Sequence, residues 1–320
     1  MLYNYSLFQS IMKNIISLFV FCLMFVSCEQ KRADGTVVDT PTKGNLKLMV
    51  EEGYQPVITS VLEVFSSLYS MAHFEAKYVA EGDAVRALLN DSTEVIIIPR
   101  NLKPEEVAYF KSKGFTPREN LVAHDAVAFI TNPGNRDSVL TVDQIRDIIT
   151  GKITKWSQIN PKSTCGAINL VFDNANSANV RYCRDSISGG APLPANASAL
   201  KKNEDVIAYV SKNKGAFGII GANWVSDSDD KGVQSFLKEV MLVDVAQKAG
   251  AESYGPYQAY LANKLYPFRR SMYIINCQAR AGLGLGLANF LISDPGQRIM
   301  MKEGLLAANV PIRLMQVIKE

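Results

Sequence analysis

The chain has 320 residues, 48% hydrophobic and 20% charged, a globular composition with length enough for two domains. Its formal net charge is +3, and the first 27 residues carry Lys13 as their only charge, so without them the balance falls to +2. So small a charge excludes the broad basic surface that nucleic acid requires, and no nucleic-acid partner is expected.

Residues 15–26 form a continuous apolar run behind Lys13-Asn14, too short to span a bilayer comfortably and of the size of a signal-peptide core. The run ends in Phe25-Val-Ser-Cys28, a small residue directly before a Cys, as in a lipoprotein signal. Residues 1–27 are therefore expected to be removed and Cys28 to be lipidated, with an uncleaved anchor helix as the alternative. Met12 begins a more conventional signal than Met1. Residues 28–43 are polar, contain Asp-Gly, Thr-Pro and Thr-Lys-Gly, and read as a flexible tether to a membrane.

Beyond the tether, strand and helix patterns alternate. Residues 46–50 read as a strand, 56–69 as a helix with Val57, Val61, Leu62, Phe65 and Leu68 on one face, and 74–79 as a second strand. A helix over 81–90, a strand over 94–99 and a helix over 103–113 follow. The alternation predicts a parallel sheet covered on both faces. An apolar run over 121–131 is interrupted by His124-Asp125 and is long for one strand. Thr141 and Gln144 form a capping box for a helix that Gly151 ends. The pattern continues with a strand over 168–172, a helix over 204–213 capped by Asn203, a glycine-flanked strand over 216–220, a strand over 271–276 and a helix over 283–292. In Asp294-Pro-Gly-Gln297 an N-cap, a first-turn proline and a capping-box glutamine open a last helix.

Cys165, Cys183 and Cys277 remain after the signal is discounted, an odd number that argues against a disulfide framework. Cys165 lies about seven strand residues from the loop and Cys183 a few helix residues past it, which places the two at different heights. All three read as buried free thiols. Enzyme chemistry finds little: two histidines, no zinc spacing, no phosphate-loop motif and no nucleophile constellation. Gly282-Leu-Gly-Leu-Gly286 lacks the strand register of a dinucleotide fingerprint and reads as close packing at a helix start. No cofactor is expected.

One stretch organises the rest, Val171-Phe-Asp-Asn-Ala-Asn-Ser-Ala-Asn-Val-Arg-Tyr182. It reads as a buried strand, a polar loop and the start of an amphipathic helix. The first N–H groups of a helix lack intrahelical partners and carry partial positive charge, so small residues such as Ser177 and Ala178 admit an oxyanion. The plainer alternative is that Asn176 or Ser177 caps the helix.

Three segments in order, residues 140–156, this loop and Gly215-Ala-Phe-Gly-Ile-Ile-Gly221, closely resemble the phosphate-binding proteins of ABC transporters. Asp34-Gly-Thr36, Glu51-Glu-Gly-Tyr54 and Tyr266-Pro-Phe-Arg-Arg270 are similar to a lipoprotein subgroup, and the likeness runs from Asp34 to Arg313. It implies an α/β type II periplasmic-binding-protein fold: two lobes, a double hinge and a ligand cleft between them, residues 44–124 with 271–320 forming one lobe and 125–270 the other. It also implies a lipid-anchored, extracytoplasmic protein, not an enzyme, that captures inorganic phosphate or a similar oxyanion for a transporter permease. A binding-protein-fold adaptor or sensor with a degenerate or different site is the alternative. Where the family has Ser-Gly-Thr or Ser-Ser-Thr, this chain has Ser177-Ala178-Asn179, a carboxamide in place of a hydroxyl.

In this reading the helices starting near Tyr54 and Asn179 point into the cleft from opposite lobes. Asn176, Ser177, Ala178 and Asn179 supply the anion loop. Arg100, at the carboxyl end of a strand, is either a bidentate oxyanion contact or a surface salt bridge. Arg181 faces the ligand or solvent. Asp173 and Glu52 are the favoured acceptors for the proton of monohydrogen phosphate, with Glu51 also available; turn formation and solvent exposure are their plainer roles. Tyr257 and Gln258 are equally open to cleft rim or packing.

Overall fold

The computed structural model describes residues 39–225 and 231–309. The signal run, Cys28, Asp34-Gly-Thr36 and Arg313 lie outside them.

From the N-terminal side come strand β1 (Gly44–Glu51), helix α1 (Gln55–Leu68), β2 (Ala72–Val79), α2 (Glu81–Leu89), β3 (Val95–Ile98) and α3 (Pro104–Ser112). The long strand β4 (Arg118–Thr131) then leads to β5 (Val139–Thr141), α4 (Val142–Ile149), β6 (Asn169–Phe172) and α5 (Ala178–Tyr182). The second half continues with β7 (Ala197–Ala199), α6 (Asn203–Lys212), β8 (Ala216–Gly221), α7 (Lys231–Glu239), β9 (Met241–Leu242), β10 (Asp244–Ala246), β11 (Ser253–Tyr254) and α8 (Gln258–Ala262). Strand β12 (Arg269–Asn276) returns to the first half, followed by α9 (Leu283–Ile292), α10 (Asp294–Lys302) and β13 (Leu306–Ala307).

The main sheet runs β2-β1-β3-β12-β4-β8-β6-β7. Strands β1, β2 and β3 are parallel, as are β6, β7 and β8, while β4 and β12 run antiparallel to each other and to the strands they join. The first part of β4 pairs with β12 and its last residues, 127–131, pair with β8. One strand thus serves both halves, which accounts for an apolar run longer than a typical strand. Its two ends belong to different cores: Val122 and Ala123 pack with Leu48, Val61, Phe65 and Ile274, whereas Phe129 and Ile130 pack with Trp156, Phe172 and Phe217. The two-lobed α/β arrangement expected from the sequence is present.

Several local expectations hold for the reasons given. Thr141 and Gln144 form the capping box, and Gly151 adopts φ +75° at the helix end. A Cβ on Gly286 would overlap the Pro41 carbonyl, so the glycine run does serve close packing. Others need correction. Residues 39–43, read as the end of the tether, are packed: Asp39 accepts from Leu283 N at 2.8 Å and pairs with Arg280 at 2.6 Å, capping α9 with a residue from the other end of the chain. Asn203 lies inside α6 rather than capping it. Gln297 makes no capping box; its amide donates to the Val122 and Leu291 carbonyls, tying α10 to β4. Of the three thiols, all free, Cys183 is buried but Cys165 and Cys277 are half-buried. Gln258 packs, donating to the Leu305 carbonyl.

Candidate functional site

In open α/β sheets ligands bind beyond the carboxyl ends of parallel strands. Here β1 ends in Glu51, β2 leads into Ala80-Glu81, β3 into Pro99-Arg100, β6 into Asp173 and β8 in Gly221. Contacts between the halves converge on these ends. Gly82 N donates to the Asn176 carbonyl at 3.1 Å, Asn203 Nδ2 donates to Glu52 at 2.6 Å, and Trp224 Nε1 donates to the Gly53 carbonyl at 3.1 Å.

The loop before α5 is organised by its own carboxylate. Asp173, 1% exposed, accepts from Ser177 Oγ at 2.6 Å and from Asn179 Nδ2 at 2.9 Å, one bond to each oxygen. Ser177 in turn accepts from Val180 N at 3.2 Å, the capping role that was the plainer alternative for it. Helix α5 is five residues long and passes into a π-helical turn over Cys183–Ile187. Asp173 thus takes up side-chain donors at this helix start, with Asn203 Nδ2 a further 3.5 Å from one oxygen, a loop-forming role beside the one expected of it as acceptor of a phosphate proton. Burial pushes its pKa up, opposed by the Ser177 bond. Ala178 and Asn179 are buried behind the loop, and Asn179 Oδ1 accepts from Arg270 Nη1 at 2.8 Å.

Arg100 also needs correction. Its Nε donates to Glu81 at 2.7 Å, and its terminal nitrogens donate to the Glu106 carboxylate at 2.7 and 2.9 Å and to the Asn101 carbonyl at 2.8 Å. The salt-bridge role applies, and the guanidinium has little left to offer a ligand. Arg181 differs. Its Nε is held by both Glu81 oxygens, at 2.7 and 2.9 Å, while its terminal nitrogens take no partner among the described residues. Glu81, 3% exposed, is therefore a shared anchor: Arg100 reaches it from its own half and Arg181 from the other.

These groups surround a cavity of about 270 Å³ lined by Glu81, Gly82, Val85, Arg100, Lys103, Glu106, Ala175, Asn176, Ser177, Val180, Arg181 and Arg184. Of its four cations, Arg100 is taken by Glu81 and Glu106 and Arg184 pairs through Nε with Asp185 at 2.9 Å, which leaves Lys103 and the terminal nitrogens of Arg181 to attract an anion. Lys103 and Arg184 were not identified from the sequence; spacing three residues after Arg181 on one helical face is the signal that points to Arg184. A second cavity, about 200 Å³, is acidic, with Glu51, Glu52, Asp83, Asp173 and Lys201 in its wall. Ser177 lines both.

Glu52 is held differently from Asp173. One oxygen accepts from Asn203 and the other, Oε1, is buried without a partner among the described residues. Burial raises its pKa to about 7, against the lowering effect of the Asn203 bond. A carboxyl that ionises near pH 7 when folded and near 4.3 when unfolded holds more protons in the folded state between those values, so its contribution favours folding below that window and is lost as pH rises through it. Glu52→Gln should therefore leave stability near pH 5 little changed and raise it at pH 8 by on the order of 1–3 kcal/mol, as read from urea unfolding at the two pH values. An equal effect at both would remove Glu52 as the titrating group.

Tyr54 is buried, with its ring 5.8 Å from the Arg270 guanidinium and its hydroxyl beside the Asp125 carboxylate. It precedes α1 and faces the hinge rather than either cavity. Arg270, 6% exposed, pairs with Asp125 at 2.7 Å, tying β12 to β4 where the chain crosses between halves. The sequence contains a signal for it: Arg270 shares the inward register of Met272 and Ile274.

The family model for the PBP superfamily domain matches residues 35–295. The phosphate-binding protein PstS of Staphylococcus epidermidis is 25% identical over 237 residues, covering 72% of this chain and 68% of that one. A Clostridium perfringens structure, described as a phosphate ABC transporter substrate-binding protein with bound phosphate, superposes with a TM-score of 0.69 at 22% identity over 83% of this chain and 100% of that one. An ABC-type phosphate transport receptor from Vibrio cholerae gives 0.62 at 18% identity, over 82% of this chain and 100% of that one. At these identities the two structures share the fold with this chain.

Proposed function

The chain belongs to the PBP superfamily and is a binding protein rather than an enzyme, and from that premise we propose that it is an extracytoplasmic component that captures a small oxyanion, phosphate or a close analogue, for an ABC uptake system. The observation that carries the proposal is Arg181. Glu81 fixes its Nε, and its terminal nitrogens are left for a ligand in a cavity where cations outnumber carboxylates. Lys103 comes from one half of the molecule and Arg181 and Arg184 from the other, so an oxyanion would join the halves, which is how binding proteins of this shape close. The lobes we assign to residues 44–124 with 271–320 and to 125–270, a division supported by the separate apolar cores. Asn176 and Ser177 line the same cavity, and Glu52 lines the second one.

Calorimetric titration of the purified full chain with phosphate, sulfate and arsenate tests the proposal; no heat with any of them would sink it. Binding absent throughout, together with capture of a protein partner, would favour the adaptor reading, which the filling of the loop by Asp173 supports.

The lipoprotein signal over 1–27, the tether and a permease partner are part of the same proposal. Cys28→Ser should release a folded protein from the membrane fraction, because a lipid on a polar tether contributes nothing to the core. A variant that stays membrane-bound after signal removal counts against the anchor.

A further inference from the structure

The basic cavity is larger than orthophosphate. Water occupies about 30 Å³ in the liquid, so a five-atom oxyanion needs roughly 60 Å³, against about 270 Å³ available. That volume approaches the low end for sites that hold organic ligands, roughly 300 Å³. The lining is also divided in character. Lys103, Arg181 and Arg184 bring positive charge, whereas Val85, Ala175 and Val180 supply an apolar stretch beside it. The second cavity, at the loop, is of similar size but acidic, and Asp173 there already takes the Ser177 and Asn179 donors, so it suits an anion less well.

Resting on the oxyanion reading above, we infer that the preferred ligand is a small phosphomonoester: a dianionic phosphate held by Arg181, Arg184 and Lys103, with its organic substituent against Val85 and Val180. A monoester keeps a double charge for Lys103 and for the terminal nitrogens of Arg181 and Arg184, whose Nε atoms are held by Glu81 and Asp185, and adds surface for the rest of the cavity. Orthophosphate alone would leave much of that volume to water. Glu81 positions Arg181 and is not itself a ligand, since its oxygens are held by two guanidiniums.

The test titrates the purified full chain with orthophosphate, sulfate, glycerol 3-phosphate, glucose 6-phosphate and glycerol. The expected result is tighter binding of at least one ester than of orthophosphate, by tenfold or more, with no binding of glycerol. Orthophosphate binding as tightly as both esters would overturn the inference while leaving the oxyanion reading intact. No binding of any phosphate compound would overturn both. Val180→Phe, which fills the apolar part, should weaken the preferred ester at least tenfold more than it weakens orthophosphate. An equal loss of both would place the substituent elsewhere and reject the assignment.

Discussion

Replacing Arg181 by methionine should abolish measurable oxyanion binding while leaving the protein folded. Two charge-assisted hydrogen bonds from the terminal nitrogens, at about 1.5–3 kcal/mol each, correspond to a loss of a hundredfold or more. Glu81 keeps Arg100 as a partner, so the buried carboxylate is not left alone and the stability cost should be small by comparison. Methionine retains most of the aliphatic length that packs beneath the guanidinium. Arg181→Lys separates charge from geometry: a point charge restores part of the attraction but cannot bond to Glu81 and a ligand in one plane. The readouts are calorimetric affinity and the urea midpoint, measured together. Affinity within threefold of the parent protein, for a variant with an unchanged midpoint, would show that Arg181 does not touch the ligand.

The largest stability effect should come from Arg270→Met. Asp125, 1% exposed, would lose its counter-ion, and Asn179 would lose the donor to its Oδ1. Removing one member of a buried ion pair costs about 3–5 kcal/mol, most of it the uncompensated charge that remains. For a chain of this size that lowers the melting temperature by roughly 5–8 °C. The double variant Arg270→Met, Asp125→Asn should recover most of the loss, because the buried charge is then absent altogether. Failure of the second substitution to restore stability would mean that the arginine acts through packing on Tyr54, 5.8 Å away, rather than through its charge.

Much of the fold was legible in local pattern. The Val57, Val61, Leu62 and Phe65 stripe, the Thr141–Gln144 box and the apolar β3 and β8 strands each fix an element without help from distant residues. Strands β9, β10 and β11, two or three residues each, are too short to carry a period and were not legible. The site was legible as a set of positions rather than as a set of bonds. Arg100, Asn176 and Ser177 follow strand ends and Arg181 lies one turn into the next helix, and these four line one cavity. What sequence could not give was their pairing. Glu81 reads as an acidic residue at a helix start, and nothing local says that guanidiniums 19 and 100 positions away both reach it. The same holds for Arg270 and Asp125, 145 positions apart.

Strand β12 lies between β3 and β4, so the first half of the molecule cannot complete its sheet until residue 276 has been supplied. The second core, by contrast, is built from residues 126–268 in one continuous stretch. During vectorial emergence of the chain, the part made first therefore waits with an open edge at β3 while the part made later can already collapse. The final docking joins segments more than 170 positions apart, a high-contact-order step that sets a slow last phase of folding. Until residues 269–276 arrive, that edge is open to pairing with another chain.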